Sequence, residues 1–96
     1  LYKMIQRNLS ANQTLTAEVR DRNNLLFQGQ VEAVSSFNDK GPFDVLPQHA
    51  NFISLIKKSI VVHISKTEEK KFEIESGMLK VRDNNVEVYL GILRQK

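Results

Sequence analysis

The sequence predicts an all-β protein, an antiparallel β-sandwich or a flattened barrel. Three observations carry this. Apolar residues recur at every second position through most of the chain from Thr14 onward. Turn-forming clusters such as Asp21-Arg22-Asn23-Asn24 and Asp83-Asn84-Asn85 interrupt those runs at close intervals. No segment after residue 13 has the 3.6-residue period of a helix.

In chain order, Leu1, Met4, Ile5 and Leu9 fall at helical spacing, so residues 1–13 read as a leader, either a short helix or a linker. Leu15, Ala17 and Val19 then alternate with Thr16, Glu18 and Arg20 as a half-buried strand. Leu25-Leu26-Phe27 resumes after the turn, and Gly29 is expected to break the run at a bulge. Val31, Ala33 and Ser35 alternate with Glu32, Val34 and Ser36 as a further long strand. Asn38 to Pro42 is a loop by composition. Phe43 to Leu46 is a short strand, ended by Pro47 because proline has no N–H for a ladder.

Asn51 to Ile56 is a brief apolar segment, and Ser59 to Ser65 a β-branched one. Thr67 to Lys70 is a charged turn. Phe72, Ile74 and Ser76 alternate with Lys71, Glu73 and Glu75. Met78 to Arg82 is a strand with Gly77 at its head. Asp83 to Asn85 closes a hairpin onto Val86, Val88 and Leu90. The total is about eight short strands, each with one buried face and one wet face. They form one domain over residues 14–92, with a tail at 93–96.

The bulk composition narrows the function. The chain has 96 residues, 41% hydrophobic and 26% charged, as expected of one modest globular core. Its net charge is +3 and its basic residues are scattered, with no run longer than Lys57-Lys58 or Lys70-Lys71. That argues against a nucleic-acid partner. It has no cysteine, which removes disulfides, thiol catalysis, zinc–thiolate sites and iron–sulfur clusters. No apolar run approaches the 18 or so residues of a membrane span, and Leu1 to Gln13 lacks the continuous apolar core of a signal peptide.

The unusual residues concentrate in Gly41-Pro42-Phe43-Asp44-Val45-Leu46-Pro47-Gln48-His49-Ala50-Asn51-Phe52. A metal site, a catalytic site and a docking loop are the sharp readings. The plainer one has Pro42 and Pro47 stiffening a crossover between two sheets, with Phe43 and Phe52 in the core. Composition alone favours it. His49 has no second histidine or carboxylate at ligand spacing, and Asp44 reaches it only by folding. His63, the other histidine, lies within the β-branched run. The serines have no evident base beside them, and no nucleophile elbow, zinc-binding HExxH or phosphate loop occurs. The sequence therefore predicts no catalytic residue, cofactor or metal.

The order of short motifs adds a resemblance. Phe27-Gln28-Gly29-Gln30-Val31, then Gly41 to Ala50, then Ser76-Gly77 through Val81, then Asn85-Val86-Glu87-Val88 follow one another. This resembles the N-terminal β-sandwich domain of the F-type ATP synthase epsilon subunit (delta in mitochondria), over about Leu15 to Gly91. That family shows F-x-G-x-V, G-x-x-G-[IV]-x-P-x-H-A-P, S-G-G-x-x-x-V and N-x-V-x-V. Pro47-Gln48-His49-Ala50 is the most telling match.

The resemblance implies a ten-stranded sandwich, so the two readings together give an all-β antiparallel β-sandwich of about eight to ten short strands. It implies a non-catalytic subunit of the rotating central stalk, bound to the gamma subunit and resting on the c-ring, that couples proton flow to ATP synthesis. The implied location is peripheral, on the cytoplasmic face of the energy-coupling inner membrane, reached only through the complex. It implies a c-ring contact loop formed by Gly41, Pro42, Phe43, Pro47 and His49, and a contiguous apolar patch on one outer face for gamma.

The sequence departs from the family pattern at several positions. Asp44 replaces the second glycine, Asn51 the proline after His-Ala, and Leu90-Gly91 the usual Ala-Asp. Glu75-Ser76-Gly77 stands for the Ser-Gly-Gly trio. The family's C-terminal helical hairpin is not expected here, nor are its inhibitory and ATP-binding activities. The alternative is a free-standing β-sandwich protein-binding module that meets an acidic partner through Lys57-Lys58 or Lys70-Lys71.

Overall fold

The computed structural model describes residues 14–93. The expected leader at 1–13 and residues 94–96 of the expected tail lie outside the described residues. Seven strands follow in order: β1 (Leu15–Arg20), β2 (Leu25–Val31), β3 (Ala33–Asn38), β4 (Gly41–Val45), β5 (Phe52–His63), β6 (Glu69–Arg82) and β7 (Asn85–Leu93). They form one continuous sheet in the order β2-β1-β7-β6-β5-β3-β4.

The strands are fewer than the periodic segments of the sequence because two pairs of short segments are each one continuous strand. Residues 52–56 and 59–63 are the two halves of β5, and the Phe72 and Met78 segments are both in β6. Bulges join the halves. The β5–β6 register shifts between Ile56 and Lys58, and the β6–β7 register shifts around Ser76 and Gly77. A bulge bends its strand and resets which side chains face inward. In β6 the buried residues accordingly move from Ile74 to Leu79 and Val81, an odd spacing. Gly77 sits at the β6–β7 register shift, and a Cβ there would lie 2.9 Å from the Tyr89 carbonyl oxygen.

The bulges divide the sheet into two wings. The first holds β2, β1, β7, the second half of β6 and the first half of β5. The second holds the other halves of β6 and β5 with β3 and β4. Both wings bury their inner faces in one cluster, which includes Leu15, Val31 and Val88 from the first and Val34, Val45 and Ile60 from the second. This is the expected sandwich. Each fully buried Val, Leu or Ile contributes about 1.5–3 kcal/mol.

Three local readings are corrected. Gly29 does not break β2. It pairs with Ala17 inside a regular ladder, and the β1–β2 irregularity lies at Val19/Arg20. The change of phase comes at Glu32, where the chain crosses between wings and the Glu32 N–H donates to the His63 carbonyl at 2.7 Å. Val34 and Ser36, not Ala33 and Ser35, are therefore the buried pair of β3. Gly41 and Pro42 belong to β4 and not to a loop. Proline is tolerated because β4 is an edge strand. The sheet is also not wholly antiparallel, since β1 runs parallel to β7.

Candidate functional site

One end of the sandwich is built by the loop after β4 and the turn between β6 and β7. Leu46 to Asn51 is a crossover that carries the chain from β4 in the second wing to β5 in the first. Its backbone is tied down. The Gln48 N–H donates to Asn84 Oδ1 at 2.7 Å, and the Asp83 N–H donates to Asn51 Oδ1 at 2.9 Å. The Asn84 carbonyl also accepts the Thr16 N–H at 3.0 Å, which joins β1 to the same end. Gln48, Asp83 and Asn84 all have positive φ (72°, 51° and 65°). Asparagine and aspartate enter that region more readily than other non-glycine residues.

His49 closes the loop locally. Its N–H donates to the Leu46 carbonyl at 3.1 Å, and its Nδ1 lies 2.8 Å from the Ala50 carbonyl, the geometry of a donated N–H. Its ring lies 4.8 Å from that of Phe52, and Phe52 meets Phe43 edge-on at 6.0 Å. Phe43 and Phe52 both pack against the core, as the stiff-crossover reading required. His49 stays exposed, as does Leu46 at 54%.

The structure thus separates the five residues grouped by the sequence. Pro47 and His49 lie in the crossover. Gly41 and Pro42 lie at the other end of β4, beside the Asp39-Lys40 turn, and Phe43 lies within the strand. Asp44 does not approach His49, because its carboxylate accepts from the Ser35 hydroxyl at 2.6 Å. The residues that sequence reasoning missed are Asn51, Asp83 and Asn84. They are ordinary turn residues in composition, and their role depends on contacts across 32 and 36 positions.

The expectation that no serine has a base beside it is also corrected. Ser35 Oγ lies 2.9 Å from His63 Nε2, and His63 Nδ1 lies 3.4 Å from Glu69 Oε1. The spacing is that of a nucleophile–base–carboxylate chain. Ser35 nonetheless lies mid-strand in β3, paired on both sides, so the backbone there is committed to the ladders and supplies no oxyanion hole. The row joins β4, β3, β5 and β6 as a polar cross-strand tie. Among the described residues, no group of three or more acidic or histidine side chains is placed to hold a metal, and no helix is long and apolar enough to cross a membrane.

The outer face of the first wing carries a second feature. The register aligns Leu55, Met78, Tyr89, Arg20 and Leu25 in one row across five strands. Leu55 is 77% exposed, Tyr89 41% and Leu25 48%. Arg20 donates to Glu18, whose hydrogen bond and charge raise the guanidinium further above its ordinary value. The Tyr89 hydroxyl donates to Glu87 at 3.2 Å, and desolvation followed by the Glu87 charge raises its phenol above 10.0.

Comparison with known proteins bears on the family and the fold. The family model for the β-sandwich domain of the ATP synthase delta/epsilon chain matches residues 14–91. The ATP synthase epsilon chain of a Nitratiruptor species is 32% identical over 72 residues, covering 74% of this chain and 56% of that protein. The ATP synthase epsilon chain of Clostridium novyi is 33% identical over 63 residues, covering 65% and 48%. The chain spans about half the length of the curated relatives it matches. A chain of the Euglena gracilis mitochondrial ATP synthase, solved with OSCP, F1 and the c-ring, superposes with a TM-score of 0.74 at 16% identity, covering 81% of this chain and 51% of that one. A chain of the Tetrahymena thermophila central stalk and c-ring gives 0.69 at 11%, covering 88% and 68%. At these identities the structural likeness is one of fold.

Proposed function

The chain belongs to the delta/epsilon family of ATP synthase chains through its β-sandwich domain, and from that premise we propose that it is a non-catalytic central-stalk subunit of a rotary, proton-translocating ATP synthase. In this reading it binds the gamma subunit, rests on the c-ring, and lies at the cytoplasmic face of the energy-coupling membrane, held there by the complex. The names of the relatives support the complex. The observation that carries the division of labour is the stitched end of the sandwich.

A surface that seats on a turning ring has to keep its shape under load. The crossover meets that need with Pro47 and the Asn84 and Asn51 hydrogen bonds, so little entropy is lost on docking. It presents exposed His49 and Leu46. Within the expected group, Pro47 and His49 are the ring-facing pair, with Phe43 supporting them through Phe52. Gly41 and Pro42, at the far end of β4, contact the ring only if the c-loops reach along that edge. Leu55, Met78 and Tyr89 supply the apolar outer patch for gamma, with Leu25 beyond the Arg20–Glu18 pair.

The test is size-exclusion chromatography of the chain mixed with the gamma subunit of the same organism. Co-elution as a one-to-one complex is expected. Separation at micromolar concentration would leave a free-standing binding module. Leu46→Ser with His49→Ala should then weaken docking of the stalk complex on isolated c-rings by about tenfold, with gamma binding unchanged.

A further inference from the structure

The stitched end of the sandwich has a definite proton inventory. A carbonyl oxygen only accepts, so the 2.8 Å contact with the Ala50 carbonyl fixes a proton on His49 Nδ1. In the neutral ring Nε2 is then left as an acceptor with no proton of its own. The ring is held in place, 4.8 Å from the Phe52 ring at a tilt of 38°, on a backbone tied to the Leu46 carbonyl. His49 is exposed, and nothing among the described residues bonds to its Nε2.

Asp83 is a second acceptor at the same place. His49 and Asp83 line one cavity of about 270 Å³ with Gln48, Asn51 and Asn84. The Asp83 N–H is held by Asn51 and its φ is 51°, so the turn fixes where the residue stands. Among the described residues its carboxylate has no ion pair and no hydrogen bond. Asp83 borders a different cavity together with Arg82, yet the two form no ion pair. The amide oxygens of Asn51 and Asn84 are already used by the Asp83 and Gln48 N–H groups. No lysine or arginine lines the His49 cavity, so its one formal charge is negative.

We propose that His49 Nε2 and the Asp83 carboxylate together receive a cationic side chain, an ammonium or a guanidinium, from a c-ring loop. This rests on the stalk reading, and it gives the ring-facing end its ligand chemistry. A carboxylate fits badly, because Nε2 has no proton to give it and Asp83 repels it. A neutral donor satisfies Nε2 but leaves the charge of Asp83 unanswered. A cation answers both, and charge-assisted hydrogen bonds are the stronger ones. A second copy of the chain brings the same two acceptors and no cation from this end.

Two measurements test this. The first is long-range proton–nitrogen NMR of the His49 ring in the full chain, at a pH where the ring is neutral. The Nδ1–H tautomer is expected, and Nε2–H would overturn the proposal. The second is binding of the chain, in complex with gamma, to isolated c-rings over a range of salt. Asp83→Asn keeps the turn, since asparagine tolerates positive φ, and His49→Phe keeps a ring against Phe52. Each should weaken ring binding about tenfold, and Asp83→Asn should also flatten its salt dependence. Argininamide, as a free probe, should shift the His49 resonances of the wild-type chain and not those of Asp83→Asn. Rings that bind all three chains alike overturn the cation site and leave the stalk reading intact. No ring binding, with the argininamide shift present, removes the ring reading and upholds the cation site. Weakened ring binding without that shift assigns both residues to the shape of the loop and overturns the proposal. Absence of both ring binding and shift overturns it too.

Discussion

Phe52–Ile56 and Ser59–His63 are neighbouring halves of one strand. Both are rich in large apolar residues, yet their surroundings are opposite. In Ser59–His63, three of five residues are buried and both flanks are paired. In Phe52–Ile56 only Ile56 is buried, and among the described residues one flank has no strand partner. The change happens at Lys57-Lys58, where Lys58 has a φ of 72° and β3 slips past β5. The bulge leaves the Ser59 carbonyl to be satisfied by the Ser36 hydroxyl at 2.7 Å, inside the core. Hydrophobicity alone therefore does not say whether a strand segment builds the fold or meets a partner. The pairing on its second side does.

Substitutions should separate the halves. Ile60→Ala, in the paired half, is expected to cost about 2–5 kcal/mol through the cavity it leaves, read as a lower denaturant midpoint at unchanged slope. Gly77→Ala, on the line where the strands bend, should cost about 1–3 kcal/mol because its Cβ meets the Tyr89 carbonyl and not a yielding side chain. Ser36→Ala strands the Ser59 carbonyl and should cost about 1–3 kcal/mol. Leu55→Ser, in the open half, should change stability by less than about 0.5 kcal/mol while weakening gamma binding in a titration. If Leu55→Ser proves as destabilising as Ile60→Ala, the contrast between the halves fails.

The smallest effect lies on the apolar row, in the alkaline range. The Tyr89 phenol titrates higher folded than unfolded, so its neutral form favours the fold. That contribution is full below its unfolded value near 10 and is lost as pH rises through the folded value. Glu87→Gln should move the Tyr89 ultraviolet titration part of the way back toward 10, because desolvation, the larger cause, remains.

Much of the fold is legible where one face is buried without interruption. Leu15, Ala17 and Val19, and Val86, Val88 and Leu90, alternate as read. Legibility fails at bulges. A single added residue near Gly77 reverses the inward set of β6 without altering composition, and the bulge at Lys57-Lys58 interrupts the pairing of β5, so each bent strand reads as two short ones. Ala33 reads as inward for a similar reason, since the crossing at Glu32 changes the phase and leaves no polar gap. At the site, Pro47 and His49 stand out because their residue types are rare in strands. Asn51 and Asn84 do not, because an asparagine that braces a distant loop looks like one that makes a turn. The Ser35–His63–Glu69 row depends on register between strands, which no local pattern encodes.

The parallel pairing of β1 with β7 sets an order for folding during synthesis. The β1–β2 hairpin leaves the ribosome early, but its partner in the sheet is the last strand described. At ribosomal speeds the wait is about 3–10 s. During that time the flank of β1 that will meet Val86 and Val88 has no ladder to join, and a two-stranded hairpin is marginal by itself. The second wing, with β3, β4 and the far half of β5, draws on sequence-near contacts and can form first. A nascent chain stalled before Asn85 should therefore hold half a sandwich, with β1 and β2 still open to chaperones.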